Sequence, residues 1–393
     1  MSKPESDKER ECVCLLMFKT KNLYEKPKGL KQHLIQKLLY CTGEMEHFHT
    51  YMQDQAFLLQ LMEWLLRGVS GVIMVNNPLS GALILIALSI SSPWQALLGS
   101  LGLLSSTVMA IFIGQEHAEV SRGEHGYNGM LVALLIGVFS NSGDWYWWLL
   151  LPACLAGGTT TFVHSGLAAV LDRWDLPVSV FPFNTVLLWY LACTGIGHTY
   201  YPNHPVLPQG ATLSINSTQL DIPQLVQGAV LGVGQIYACD DLGSSLVILA
   251  AVLLYSPVQA FHAMLGSSLG LLAGLSVAVQ QEALYTGLAS FNGALGCMAV
   301  GGLLFTLSWR THVFSIICAF LSSYADFALS NVLANVGLPA SSWGSTLIIS
   351  LMLLVSGQSL STYRIAIGRD SSPGSLLHTP SQCAVANTDS TSV

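Results

Sequence analysis

The sequence predicts an all-α polytopic membrane protein, built as two inverted repeats of five transmembrane helices with two half-crossing helices lining a central pore. Three observations predict it. The 393 residues are 52% hydrophobic and only 9% charged, against about 25% charged in an average soluble domain, and the mean hydropathy is +0.54. The apolar blocks fall into two series that match at a fixed spacing. Each series closes on a Leu-Pro stretch, LPVSVFPFN at 176–184 and LPASSWGS at 338–345. Proline suits the first helical turn, where its missing N–H had no partner to lose. Two such starts at equivalent places suggest two short helices whose positive ends face each other at mid-membrane.

Residues 1–57 form an N-terminal segment that carries nine of the 15 Lys and Arg, between Lys3 and Lys37. That bias places the segment on the cytoplasmic side, where it touches anionic lipid. It lacks the short apolar core and small-residue cleavage site of a cleavable signal. The run FLLQLMEWLL at 57–66, with Gln60 and Glu63 on one side, reads as an amphipathic entry helix ended by Arg67-Gly68.

The first transmembrane repeat, 58–200, holds apolar blocks near 69–91, 95–114, 127–141, 145–169 and 177–200. The loop 201–222 carries the sequon Asn216-Ser217-Thr218. An odd number of crossings from a cytoplasmic start puts this loop outside the cell, where Asn216 is a glycosylation candidate. The second repeat, 223–366, has blocks near 223–238, 243–255, 259–279, 285–307, 309–333 and 339–357. Several blocks fall short of the ~20 residues that a full span needs, so tilted, broken or half-crossing helices are expected. The Ser/Thr-rich tail 367–393 has no apolar face and returns to the cytoplasm.

The two series align residue by residue. Asn76-Asn77 meets Asp240-Asp241, Pro93 meets Pro257, Asn128-Gly129 meets Asn292-Gly293, Leu131 meets Leu295 and Trp145 meets Trp309, always 164 positions apart (240 minus 76 gives 164). Pro177 and Pro339 are 162 apart, a slip of two. Five crossings per repeat, an odd number, force the halves into opposite orientations, and inverted repeats of this kind place a solute path at their interface.

Reactive chemistry is sparse. The nine cysteines are scattered and read as free thiols, and Cys12-Val13-Cys14 is a weak metal signal that is open to acylation instead. His125, His164, His262 and His312 lie in separate blocks without i, i+4 pairing, so no metal site is expected. Asp240 is expected to cap the helix that follows a break, with Asn76 doing the same in the first half. Asp326 stands among small residues and calls for a polar neighbour or a water. No nucleophile–base pair, phosphate loop or basic nucleic-acid patch stands out. The chain therefore reads as neither an enzyme nor a nucleic-acid binder, and no cofactor is expected.

Several stretches resemble the urea transporter family. They are VNNPLSG at 75–81, SPWQALLGSLG at 92–102, HGYNGMLV at 125–132, WYWWLLLP at 145–152 and WDLPV with PFN at 174–184. GVGQIYACD at 232–240, FNGAL at 291–295 and WRTH at 309–312 follow in the second half. The resemblance covers about residues 60–365. It implies a passive, channel-like transporter of urea, embedded in lipid at the plasma membrane, with both termini cytoplasmic and three copies per assembly. It also implies two slots that admit a flat molecule, with a ladder of polar groups between them.

Carried over by position, the slot residues are Tyr127 with Leu131 and Phe291 with Leu295. The resemblance places the pore amide at Gln235, whereas its twin position is Gly71. That leaves a gap for a water or for Met74 to close, and Val72 lies beside it. The family's central threonines correspond to Val180 and Ser342. Serine keeps the hydroxyl, while valine keeps only the shape. Ser179, one residue earlier, is expected to point elsewhere. In the second motif Gly344-Ser345 replaces Pro-Phe. These departures leave two alternatives open: a pore retuned for water, ammonia or another small neutral solute, or a non-conducting assembly subunit.

Overall fold

Alternating apolar blocks and Pro- or Gly-marked breaks become helices packed side by side. The computed structural model describes residues 40–206, 220–355 and 363–365. Asn216, the N-terminal cysteines and the tail lie outside the described residues. Among those described, every regular element is helical, with two isolated bridges, Ser140 to Asn203 and Phe305 to Arg364.

In chain order the helices are α1 (Glu46–Gln53), α2 (Phe57–Gly71), α3 (Pro78–Ser91), α4 (Pro93–Phe112), α5 (His117–Ser121), α6 (Gly126–Phe139), α7 (Leu150–Leu171) and α8 (Phe181–Thr194). They continue with α9 (Ile222–Gly234), α10 (Leu242–Tyr255), α11 (Pro257–Ser276), α12 (Gln281–Tyr285), α13 (Phe291–Ala299), α14 (Trp309–Ala334) and α15 (Trp343–Leu354). Four stretches are long and apolar enough to cross a membrane: α4, α11, α14, and 147–174 around α7. A fifth is α9 plus α10, bent by 76° at the break between them. Five more apolar helices are shorter. The chain is a multi-pass membrane protein.

Lengths recur from one half to the other. Helices α3 and α10 both have 14 residues, α4 and α11 both 20, α5 and α12 both five. The caps recur too. Ser92 and Ser256 accept from the backbone N–H three residues on, at the starts of α4 and α11. Left-handed backbone also falls at matched places: Met74 with Ala238, Gly123 with Gly287, and Ser179 with Ser341. Each non-glycine in this region is strained by ~1–2 kcal/mol, so its surroundings must hold it there.

Close helix crossings explain the matched Asn-Gly pairs. A Cβ on Gly102 would lie 2.2 Å from the Gly129 carbonyl oxygen, and one on Gly266 would lie 2.5 Å from that of Gly293. So α4 meets α6, and α11 meets α13, backbone to backbone. The halves join where α3 packs on α10, and Ser80 Oγ donates to the Ala251 carbonyl at 2.7 Å. Tyr237, fully buried, donates to the Val69 carbonyl at 2.7 Å.

Three expectations need correction. The block 69–91 is broken at 72–77, between α2 and α3. Helix α2 does not end at Arg67-Gly68 but runs to Gly71, because Arg67 is buried rather than solvated. Its guanidinium donates to Glu63 Oε1 at 2.9 Å, to Asn76 Oδ1 at 2.7 Å and to the Glu44 carbonyl at 3.0 Å. Glu63 is likewise buried and also meets His49, so the polar side of this helix faces protein. The capping residues are Asn77 and Asp241, one later than expected. Asn77 Oδ1 accepts from Ser80 N and Asp241 Oδ2 from Ser244 N. Asn76 is occupied by Arg67, and Asp240 borders the central cavity.

Candidate functional site

A cavity of about 880 Å³ lies where the halves meet, with walls more apolar than polar. All ten side-chain positions singled out in the sequence border it: Gly71, Val72, Met74, Tyr127, Leu131, Val180, Gln235, Phe291, Leu295 and Ser342. Tyr127 and Leu131 lie one turn apart on α6, and Phe291 and Leu295 one turn apart on α13. Gln235 follows α9 in a single 3-10 turn, and Val180 and Ser342 are the residues before α8 and α15.

The side chain nearest to Gly71 is that of Tyr127, not Met74. The Tyr127 ring packs there, with its Cδ1 3.3 Å from where a Cβ on Gly71 would sit. Tyr127 reaches on to donate its hydroxyl to the Ser179 carbonyl at 3.0 Å. Gln235 uses its amide N–H₂ on the Thr286 carbonyl at 3.0 Å. Its amide oxygen is then the group it can turn to a solute.

Helices α8 and α15 begin beside the cavity, and asparagines hold their starts. Asn128 Nδ2 donates to the Ser179 carbonyl at 3.1 Å, and Asn128 Oδ1 accepts from Phe183 N at 3.1 Å. In the other half Asn292 Nδ2 donates to the Ser341 carbonyl at 3.0 Å, and its Oδ1 accepts from Ser345 N at 3.0 Å. Each clamp spans the left-handed serine and the first helical turn, so the asparagine offsets the strain. Ser179 thus contributes through its carbonyl, whatever its side chain does.

Asn184 ties the two starts together. It donates to Ser342 Oγ at 3.1 Å and to Thr346 Oγ1 at 3.3 Å, and accepts from Ser342 N at 3.3 Å. Beside it the Phe181 and Trp343 rings meet edge to face, 5.7 Å between centres. Gly344 has a reason as well: a Cβ there would lie 2.7 Å from Asp326 N on α14. Asp326 faces Asn292 and Ser330, the polar neighbours its sequence context called for.

None of the three asparagines stood out as a site residue in the sequence. The paired Asn128-Gly129 and Asn292-Gly293 were the available signal, with Asn184 visible only inside PFN. The structure also gathers histidines that the sequence scatters. His125 and His164 lie with rings 4.4 Å apart, next to Glu119, at the edge of the cavity. His262 Nε2 and His312 Nδ1 are 3.2 Å apart elsewhere. Neither grouping follows i, i+4 spacing, because each joins different helices. His125 holds the Glu119 carboxyl below its ordinary range against the opposing effect of burial. Nearby, burial pushes Glu124 up to about 7, with Glu119 adding to the rise.

Comparison with known proteins supplies relatives. A sequence model of the family described as "Urea transporter" matches residues 62–357. Urea transporter 1 of Mus musculus is 39% identical over 330 residues, which is 84% of this chain and 86% of that protein. Urea transporter 1 of Ovis aries is 38% identical over 348 residues, 88% of this chain and 91% of the relative.

Proposed function

The chain belongs to the urea transporter family, and from that premise we propose that it carries urea passively, down its gradient, through the central cavity. The observation that carries the reading is that every residue assigned to the pore by position borders one cavity. Urea is flat and neutral, with one carbonyl acceptor and four N–H donors. Stripping its water in an apolar passage costs several kcal/mol unless acceptors replace that water. The Gln235 oxygen and the Ser342 hydroxyl offer polar contact from one half. Val180 offers none, and the first half relies on its backbone carbonyls.

Tyr127 with Leu131, and Phe291 with Leu295, form the two slots, where flat walls admit a planar solute and exclude a thicker one. Several weak contacts in series keep the solute moving, whereas one tight site would hold it. The frame is a pair of inverted repeats, 58–200 and 223–366, with α8 and α15 as the half-crossing helices. The recurring lengths, caps and left-handed residues support this reading. Residues 201–222 form the extracellular connection, and both termini are cytoplasmic. The protein works at the plasma membrane as a homotrimer with one pore per subunit, surrounded by lipid.

Stopped-flow efflux from proteoliposomes tests the proposal. Saturable urea flux, faster than that of methylurea and well above protein-free vesicles, is the expected result. Flux of water or ammonia without urea would transfer the reading to a retuned pore. No flux of any of these from correctly assembled protein would indicate a non-conducting subunit.

A further inference from the structure

The cluster of Glu119, His125 and His164 has no part in the pathway described above. Their ligand atoms all lie within 4.8 Å of one another. His125 and His164 are 1% and 5% exposed. Among the described residues, His164 Nδ1 and both ring nitrogens of His125 have no hydrogen-bond partner. His125 Nε2 is 3.3 Å from Glu119 Oε2, close enough for an ion pair but without hydrogen-bond alignment. Two buried imidazoles with unused nitrogens are costly unless something takes their lone pairs.

We propose that Glu119, His125 and His164 form a site for a zinc-class divalent cation at the rim of the cavity. The chemistry fits that class. Two imidazoles and one carboxylate are a recognised donor set for tetrahedral zinc, with bonds of ~2.0–2.1 Å. Tetrahedral ligands on such bonds are ~3.3 Å apart, which is the spacing His125 and Glu119 already have. The His164 ligand atom lies within 4.8 Å of both. Glu119 and His164 also border the cavity, from which a water would complete the shell. Imidazole and carboxylate together favour zinc, cobalt or nickel over magnesium or calcium, which prefer all-oxygen shells. The Arg122 guanidinium acts on Glu119 and opposes a cation. It is the last and smallest of the influences on that carboxyl, whereas the ligand bonds are direct.

The bound ion would join α5 and the turn after it to the middle of α7, which Ser106 of α4 already bridges by polar contact. Ser106 Oγ donates to the His125 carbonyl at 2.7 Å and lies 2.9 Å from Thr161 Oγ1.

The test uses the full chain in detergent, titrated with Zn²⁺ against a chromophoric chelator. One equivalent per chain is expected. His125→Gln and His164→Ser are each expected to weaken binding at least ~100-fold, since outer-shell losses alone weaken sites ~10–100-fold. His198→Gln, a histidine away from the cluster, is expected to leave binding unchanged. Unchanged binding in the cluster variants, or no stoichiometric binding by the native chain, would overturn the site. Should a cluster variant fail to fold, Co²⁺ added to the native chain decides. Intense visible bands of a four-coordinate ion support the site, and the weak spectrum of aqueous cobalt overturns it.

Discussion

Exchanging Asn292 for alanine is expected to harm the protein more than the matching change Asn128→Ala. Both side chains make one donor and one acceptor bond around a left-handed serine. Both variants orphan a buried N–H, of Phe183 or Ser345, which costs ~1–3 kcal/mol. The difference lies in the carbonyl. Ser179 keeps the Tyr127 hydroxyl at 3.0 Å, whereas position 291 is Phe and, among the described residues, the Ser341 carbonyl has no such second donor. Asn292 also faces Asp326, which is then left with Ser330.

One lost carbonyl bond and one lost carboxylate contact, at ~1 kcal/mol each, make Asn292→Ala the worse by about 1–2 kcal/mol. That corresponds to a further loss of roughly 1–2.5 °C in melting temperature for a chain of this size. Thermal unfolding followed by tryptophan fluorescence in one detergent ranks the variants. Tyr127→Phe added to Asn128→Ala is expected to close about half of the gap. Equal losses from the two asparagines, with Tyr127→Phe silent in the Asn128→Ala background, would refute the reasoning.

Other substitutions separate the readings of individual positions. Gly344→Ala places a methyl 2.7 Å from Asp326 N in a helix backbone that cannot yield, so a loss of ~1–3 kcal/mol is expected in the same melting assay. Asp241→Ala removes the cap of α10 and is expected to cost about 1 kcal/mol, while Asp240→Ala changes the melting temperature little. Gly71→Gln adds an amide to the first half, but its Cβ meets the Tyr127 ring at 3.3 Å. Urea flux is therefore expected to fall unless Tyr127→Leu is added to make room.

The periodic apolar blocks and Pro-marked starts made helix order and the internal match legible, because hydropathy and proline act locally. The crossings at Gly102 and Gly266 were foreshadowed by the paired Asn-Gly dipeptides. Three things were not legible. Arg67 reads as a solvated helix end, yet besides Glu63 one turn back it meets acceptors on Asn76 and Glu44, and no local pattern announces those two partners. The choice between Asp240 and Asp241 as cap turns on a one-residue difference in backbone angle. The histidine pair was hidden because His125 and His164 are 39 positions apart (164 minus 125) and meet only when α7 packs on α6. Gly71 misled in another way: the ring packed beside it is that of Tyr127, a residue from a different helix.

The central claim is that urea passes between the Tyr127–Leu131 and Phe291–Leu295 walls. Leu131→Trp tests it most directly, because a second large ring in that wall fills the slot while position 131, on the cavity face of α6, still accepts an apolar side chain. The measurement is urea permeability per reconstituted chain, native against Leu131→Trp, with matched assembly checked by size-exclusion chromatography. The account predicts at least a tenfold fall, about 1.4 kcal/mol in barrier height. Undiminished urea flux through a well-folded Leu131→Trp protein would contradict it.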